Sequence, residues 1–139
     1  MTAIDRDIHA KVRQWLQYGD DDLLLARHGL TLKSSVPYRL IAYHAQQCAE
    51  KYLKAYLVLC SIDFPYTHNL GRLIELAQQA RTWPESLLDA EMLTPYAITA
   101  RYPGEDEPVS ADEANQAITI AEQTRRLVRQ ALAEAGFNW

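Results

Sequence analysis

The chain has 139 residues, 48% of them apolar and 23% charged, with a net charge of −4. That is one domain's length, enough to bury a core without disulfides or metal. The acidic balance excludes a general DNA-coating surface, which needs a basic face. It leaves room for a local basic pocket. Five glycines and a predominance of Ala, Leu, Gln, Glu and Arg argue against an all-β fold and for helices. The N-terminal residues carry no apolar leader and no run of about 20 apolar residues occurs, so a cytoplasmic protein with no membrane association is expected.

The first helix is predicted over 8–28, where Val12, Trp15, Leu16, Leu23 and Ala26 repeat at helical spacing. Gly19 weakens that pattern, and Gly29 reads as its stop. Asp20, Asp21 and Asp22 read as charged surface rather than as three metal ligands, because consecutive helical positions point in different directions. A loop over 31–37 leads to a second helix over 38–61. Its apolar face is Ile41, Ala45, Ala49, Tyr52 and Tyr56, yet Leu40, Tyr43, Leu57 and Val58 lie off that face. The helix is therefore apolar beyond the roughly 100° stripe one core requires, which implies a second buried surface, intramolecular or a homodimer seam. Cys48 and Cys60 lie on this helix about 18 Å apart, too far to bridge, and no Cys/His spacing suggests a metal site.

A connector over 62–69 follows, then a third helix over 70–81 capped by Thr67 or Asn69. A fourth helical piece is predicted over 85–93, and Thr94 and Pro95 are read as cap and first residue of a separate short turn. The segment 101–108 reads as a loop. Ser110 and Glu113 form a capping box for the last helix, which Gly136 ends near residue 135. The architecture expected is an all-α, antiparallel up-and-down helical bundle.

On the second helix His44, Gln47, Lys51 and Lys54 fall within a sector of roughly 80°. Lys offers point charge to phosphate and His moves protons near neutral pH. The same stripe could also face water. Arg39 and His44 form an Arg-x4-His pair, the parts needed to cleave RNA through its own 2′-hydroxyl. Five helical residues separate them by about 140°, so they meet only through a frayed first turn or across two chains. His68 precedes a helix start, where backbone N–H groups collect anions, or it simply sits in a capping turn. Arg101 and Tyr102 pair a guanidinium with a ring, which suits phosphate and base; alternatively Arg101 pins its loop to an internal carboxylate such as Glu50. No phosphate-binding Gly-rich loop, Ser nucleophile motif or His-Glu-x-x-His is present.

Three blocks in order carry a family resemblance. They are His44-Ala-Gln-Gln with Glu50-Lys-x-x-Lys-Ala, then Thr67-His68-Asn69-Leu70, then Leu93-Thr94-Pro95-Tyr96 leading to Arg101-Tyr102-Pro103. The chain resembles the HEPN domain family (higher eukaryotes and prokaryotes nucleotide-binding) over nearly its whole length. The resemblance implies a bundle of about five helices that commonly dimerises. Many such proteins are encoded beside a minimal nucleotidyltransferase as a toxin–antitoxin pair, and some branches are metal-independent ribonucleases. Here the Arg-x4-His match lies on an earlier helix than is usual, and Gln46 stands where nucleotidyl-modified toxins have Tyr. The transferase's own Gly-Ser…Asp-x-Asp signature is absent. The resemblance therefore implies a non-catalytic nucleotide-binding partner module, with no resident cofactor beyond a bound nucleotide. The alternatives are a ribonuclease toxin using Arg39 and His44 across a dimer, and a purely structural helical dimer. By position, His44, Gln47, Glu50, Lys51, Lys54, His68, Arg101 and Tyr102 match the family's polar pattern. Arg101 and Lys51 would take phosphate, Tyr102 base or sugar, and His44 with His68 would line the cleft.

Overall fold

The computed structural model describes residues 2–98 and 108–139. Four α-helices and one 3-10 helix account for its regular structure: α1 (Ala3–Gly29), α2 (Tyr38–Leu59), α3 (Leu70–Gln78), the 3-10 helix (Glu85–Ala97) and α4 (Ala111–Glu134). No strand occurs among the described residues.

The first helix begins five residues earlier than the apolar periodicity predicts. Thr2 and Asp5 form a capping box that satisfies the free amides of its first turn. At the other end Gly29 is still helical and Leu30 is the cap. Gly29 is not a left-handed stop. A Cβ there would sit 2.6 Å from Ile41 Cγ1, so glycine lets α1 and α2 close together. Gly19 does the same against the ring of the fully buried Tyr52, 2.9 Å from where its Cβ would be.

Cross-helix contacts fix the directions. Residues 29, 22 and 20 of α1 meet 41, 44 and 52 of α2 in reverse order, so the two run antiparallel. Arg27 pairs with Glu122, Asp20 with Arg125, and Arg13 donates to the Asn138 carbonyl, which makes α4 antiparallel to α1 as well. Helix α2 packs against every other element. Leu57, off its main apolar face, is fully buried within the chain, while Leu40 stays exposed and Tyr43 and Val58 are half-buried. Much of the second buried surface is thus intramolecular.

Helices α2 and α4 end alike. Ile62 N–H donates to Leu57 O and Ser61 N–H to Val58 O; Phe137 N–H donates to Leu132 O and Gly136 N–H to Ala133 O. Each is a Schellman motif whose next-to-last residue takes positive φ, Gly136 at 84° and Ser61 at 54°. Glycine adopts this freely, whereas Ser61 is strained there.

The segment after Trp83 and Pro84 departs from expectation. It is one 3-10 stretch continuing through Pro95, not a helix plus a separate turn. Its buried residues, Leu87, Ala90 and Leu93, recur every third position. That is the repeat of a 3-10 helix, in which residues i and i+3 eclipse. Thr94 does not cap a turn of its own. Its hydroxyl accepts from Leu70 N–H and so helps Asn69 cap α3.

Candidate functional site

The polar stripe of α2 meets carboxylates, and they come from two places. The first is the acidic run of α1, which is not plain charged surface. Only Asp21 faces outward, accepting from Gln17 of its own helix. Asp20 and Asp22 flank the contact with α2. Asp20 Oδ1 accepts from Tyr52 OH at 2.6 Å and from Arg125 Nε at 2.8 Å. Asp22 Oδ1 accepts from His44 Nδ1 at 2.8 Å, and its Oδ2 from Lys51 Nζ at 2.5 Å.

The second carboxylate is Glu50, on α2 itself and only 3% exposed. Lys54, one turn on, donates to Oε2 at 3.0 Å. His68 Nδ1 donates to Oε1 at 2.7 Å, and Gln46 Nε2 to the same oxygen at 3.0 Å. Gln47 then donates to Gln46 Oε1 at 2.6 Å, extending the chain of polar contacts. The Lys54 ammonium also lies 5.6 Å from the Trp15 ring centroid and 5.7 Å from that of Phe64. Those rings favour the cation while keeping water away.

The stripe is thus organised differently from an open row of positive charge. Each of its two lysines is matched by one buried carboxylate. Lys54 is 6% exposed and Gln47 7%, so both serve the interior. His44 and Lys51 are part-exposed, and His68 is the most open of the five. Both histidines present Nδ1 to a carboxylate. A carboxylate only accepts, so Nδ1 carries the proton, and in the neutral ring Nε2 holds the basic lone pair. Two imidazoles are therefore oriented in the same way. Arg39 is exposed in a helical first turn. It therefore diverges from His44 within one chain, leaving only the intermolecular route for that pair. Arg101 and Tyr102 lie outside the described residues.

The protonation of the surroundings follows burial. Burial first, then the nearby Asp20 and Asp22 charges, push the Cys48 thiol up to about 12. Burial, then the hydrogen bond to Asp20, push the Tyr52 phenol up to about 12. Cys48 is thus an inert apolar filler. The hydrogen bond that Arg125 donates to Asp20 raises the guanidinium further above its usual range. Among the described residues, no cluster of three or more His, Cys, Asp or Glu side chains could hold a metal ion, and no helix is long and apolar enough to cross a membrane.

Sequence spacing carries a signal for the Glu50–Lys54 pair, since i and i+4 share a helix face, although Arg101 is the partner offered to Glu50 from sequence. It does not find Asp22, whose role depends on the α1–α2 register, nor the ring faces around Lys54.

This arrangement sits on a recognisable fold. The family model described as HEPN domain matches residues 12–131. The chain belongs to the HEPN domain family. Among solved structures, TT1696 from Thermus thermophilus superposes with a TM-score of 0.71 at 27% identity, covering 86% of this chain and 97% of that one. ST0689, described as an archaeal HEPN homologue, superposes with a TM-score of 0.67 at 26% identity, covering 87% and 97%. No curated protein matches the chain significantly.

Proposed function

We propose that this HEPN chain is a non-catalytic nucleotide-binding module that dimerises and acts with a separate minimal nucleotidyltransferase, as one half of a toxin–antitoxin pair. One observation carries the binding reading: His44 and His68, on neighbouring elements, are each fixed through Nδ1 by a buried, lysine-matched carboxylate. Fixed imidazoles meet a ligand's hydroxyl, amino or phosphate groups without losing rotamer freedom on binding. Lys51, part-exposed beside His44, and Arg101 supply charge for phosphate, and Tyr102 supplies a ring for base or sugar.

ATP or GTP at a hundred times its dissociation constant will raise the unfolding free energy by about 2.7 kcal/mol. Lys51→Ala and Arg101→Ala will each reduce that gain. A melting temperature unmoved by either nucleotide would leave the stripe a structural device that interlocks the bundle.

The carboxylate-held His44 favours a second reading, because an imidazole oriented by Asp22 is also the form a general base takes in RNA cleavage. Arg39 of a second copy would then stabilise the charged phosphate. Growth arrest on expression, abolished by His44→Ala, would establish that reading over the first.

A further inference from the structure

Beyond the Asp22 cluster, the end of α1 and the start of α2 border a half-open hollow of about 300 Å³. Its floor is Ile41, brought close by the missing side chain of Gly29. Leu25, Leu32 and Leu40 wall it and stand substantially exposed. Ligand pockets run from about 300 to 1,000 Å³, so this one suits a single ring system rather than a whole nucleotide. Among the described residues, no carboxylate, ammonium or guanidinium lines it. A phosphate therefore finds no counter-charge there, and a flat neutral ring finds apolar walls.

The polar groups at its edge are His28 and His44. His44 is the informative one. Its Nδ1 is tied to Asp22, which leaves Nε2 as the ring nitrogen free to accept a hydrogen bond. The complementary edge is an N–H on a planar heterocycle, as on the amino group of a nucleobase. On the other side of His44, sharing Asp22, stands Lys51. We infer that this hollow is the base subsite of the nucleotide site: the base of a free nucleoside or nucleotide lies between Leu25, Leu32 and Leu40, with its amino edge on His44. The inference rests on the nucleotide-binding reading, keeps His44 from it, adds Leu25, Leu32 and Leu40 as walls for the base, and leaves Tyr102 to the sugar.

The test is titration of the full chain, labelled at leucine methyls and histidine rings, with adenosine and with ATP. Adenosine will shift the methyls of Leu25, Leu32 and Leu40 and the His44 ring saturably. Leu40→Arg, at an already exposed position, will weaken adenosine at least about tenfold with the melting temperature kept. ATP that moves the His68 ring but not the leucine methyls would overturn the base subsite and leave nucleotide binding standing. No response to either ligand would overturn both. A response to oligoadenylate without one to adenosine would overturn the free nucleotide as occupant and point to a strand.

Discussion

Glu50→Ala will lower the unfolding free energy by about 3–5 kcal/mol, the usual result of breaking a buried ion pair from one side. Glu50 takes hydrogen bonds from Lys54, His68 and Gln46. Without it the Lys54 ammonium, 6% exposed between Trp15 and Phe64, has no counter-charge and little water. Loss of the His68 bond also frees the connector over 62–69, which this contact ties to α2. At roughly 2–4 °C per kcal/mol for a chain of this size, the melting temperature should fall by about 6–20 °C. Glu50→Gln keeps the shape and part of the bonding, and falls between wild type and Ala. Glu50→Leu combined with Lys54→Met removes both charges and should recover most of the loss, since apolar replacement of a buried pair is often neutral or stabilising. A drop below about 1 kcal/mol for Glu50→Ala, measured by urea unfolding, would mean that Lys54 reaches solvent and that the cluster is not a buried unit.

The protein should lose stability on the alkaline side, beginning near pH 9. The Cys48 thiol moves from 9.0 to about 12 and the Tyr52 phenol from 10.0 to about 12, both chiefly through burial. The Tyr56 phenol is also pushed up by burial, and next by Cys60. The folded chain holds these protons to higher pH than the unfolded chain does. Below about pH 9 both states keep them and stability is constant. Between about 9 and 12 the unfolded state releases protons that the folded state retains, so stability falls as pH rises. By about pH 10.5 the Cys48 and Tyr52 shifts together correspond to about 3 kcal/mol. Urea unfolding at about pH 8 and about pH 10.5 measures the difference. Cys48→Ala should remove more than half of it, because its thiol ionises first in the unfolded chain. A flat profile, or one that Cys48→Ala leaves unchanged, would contradict the burial that places this thiol in the α1–α2 contact.

The helical architecture was legible because α1, α2, α3 and α4 each carry an apolar face at helical spacing, and Asn69 and the Ser110–Glu113 box are local cap signals. The all-helical class needed nothing beyond this. The 3-10 helix was less legible: periodicity tuned to 3.6 residues splits a three-residue repeat, and Pro95 read as a break. Gly19 looked like a weak point in the first helix and Gly29 like its stop, because the sequence does not reveal what comes close to a missing Cβ. Both are contact points with α2. The site divides in the same way. His44, Gln47, Lys51 and Lys54 share a face by spacing alone, but whether that face meets water or carboxylates depends on helix register. Asp22 and Asp20 sit about 160° apart around α1 by helical geometry. Both find partners because α1 is flanked on one side by His44 and Lys51 and on the other by Tyr52 and Arg125. No local pattern encodes that.

Nucleotide binding at this site requires His44 and His68 to be held through Nδ1 with Nε2 turned to the ligand. Long-range ¹H–¹⁵N correlation spectra of the histidine rings measure this directly. In their neutral forms both rings should show a protonated Nδ1 and a bare Nε2, and the His44 Nε2 resonance should move saturably as ATP is added. Rings protonated at Nε2, or a His44 signal indifferent to ATP while the protein stays folded, would contradict it.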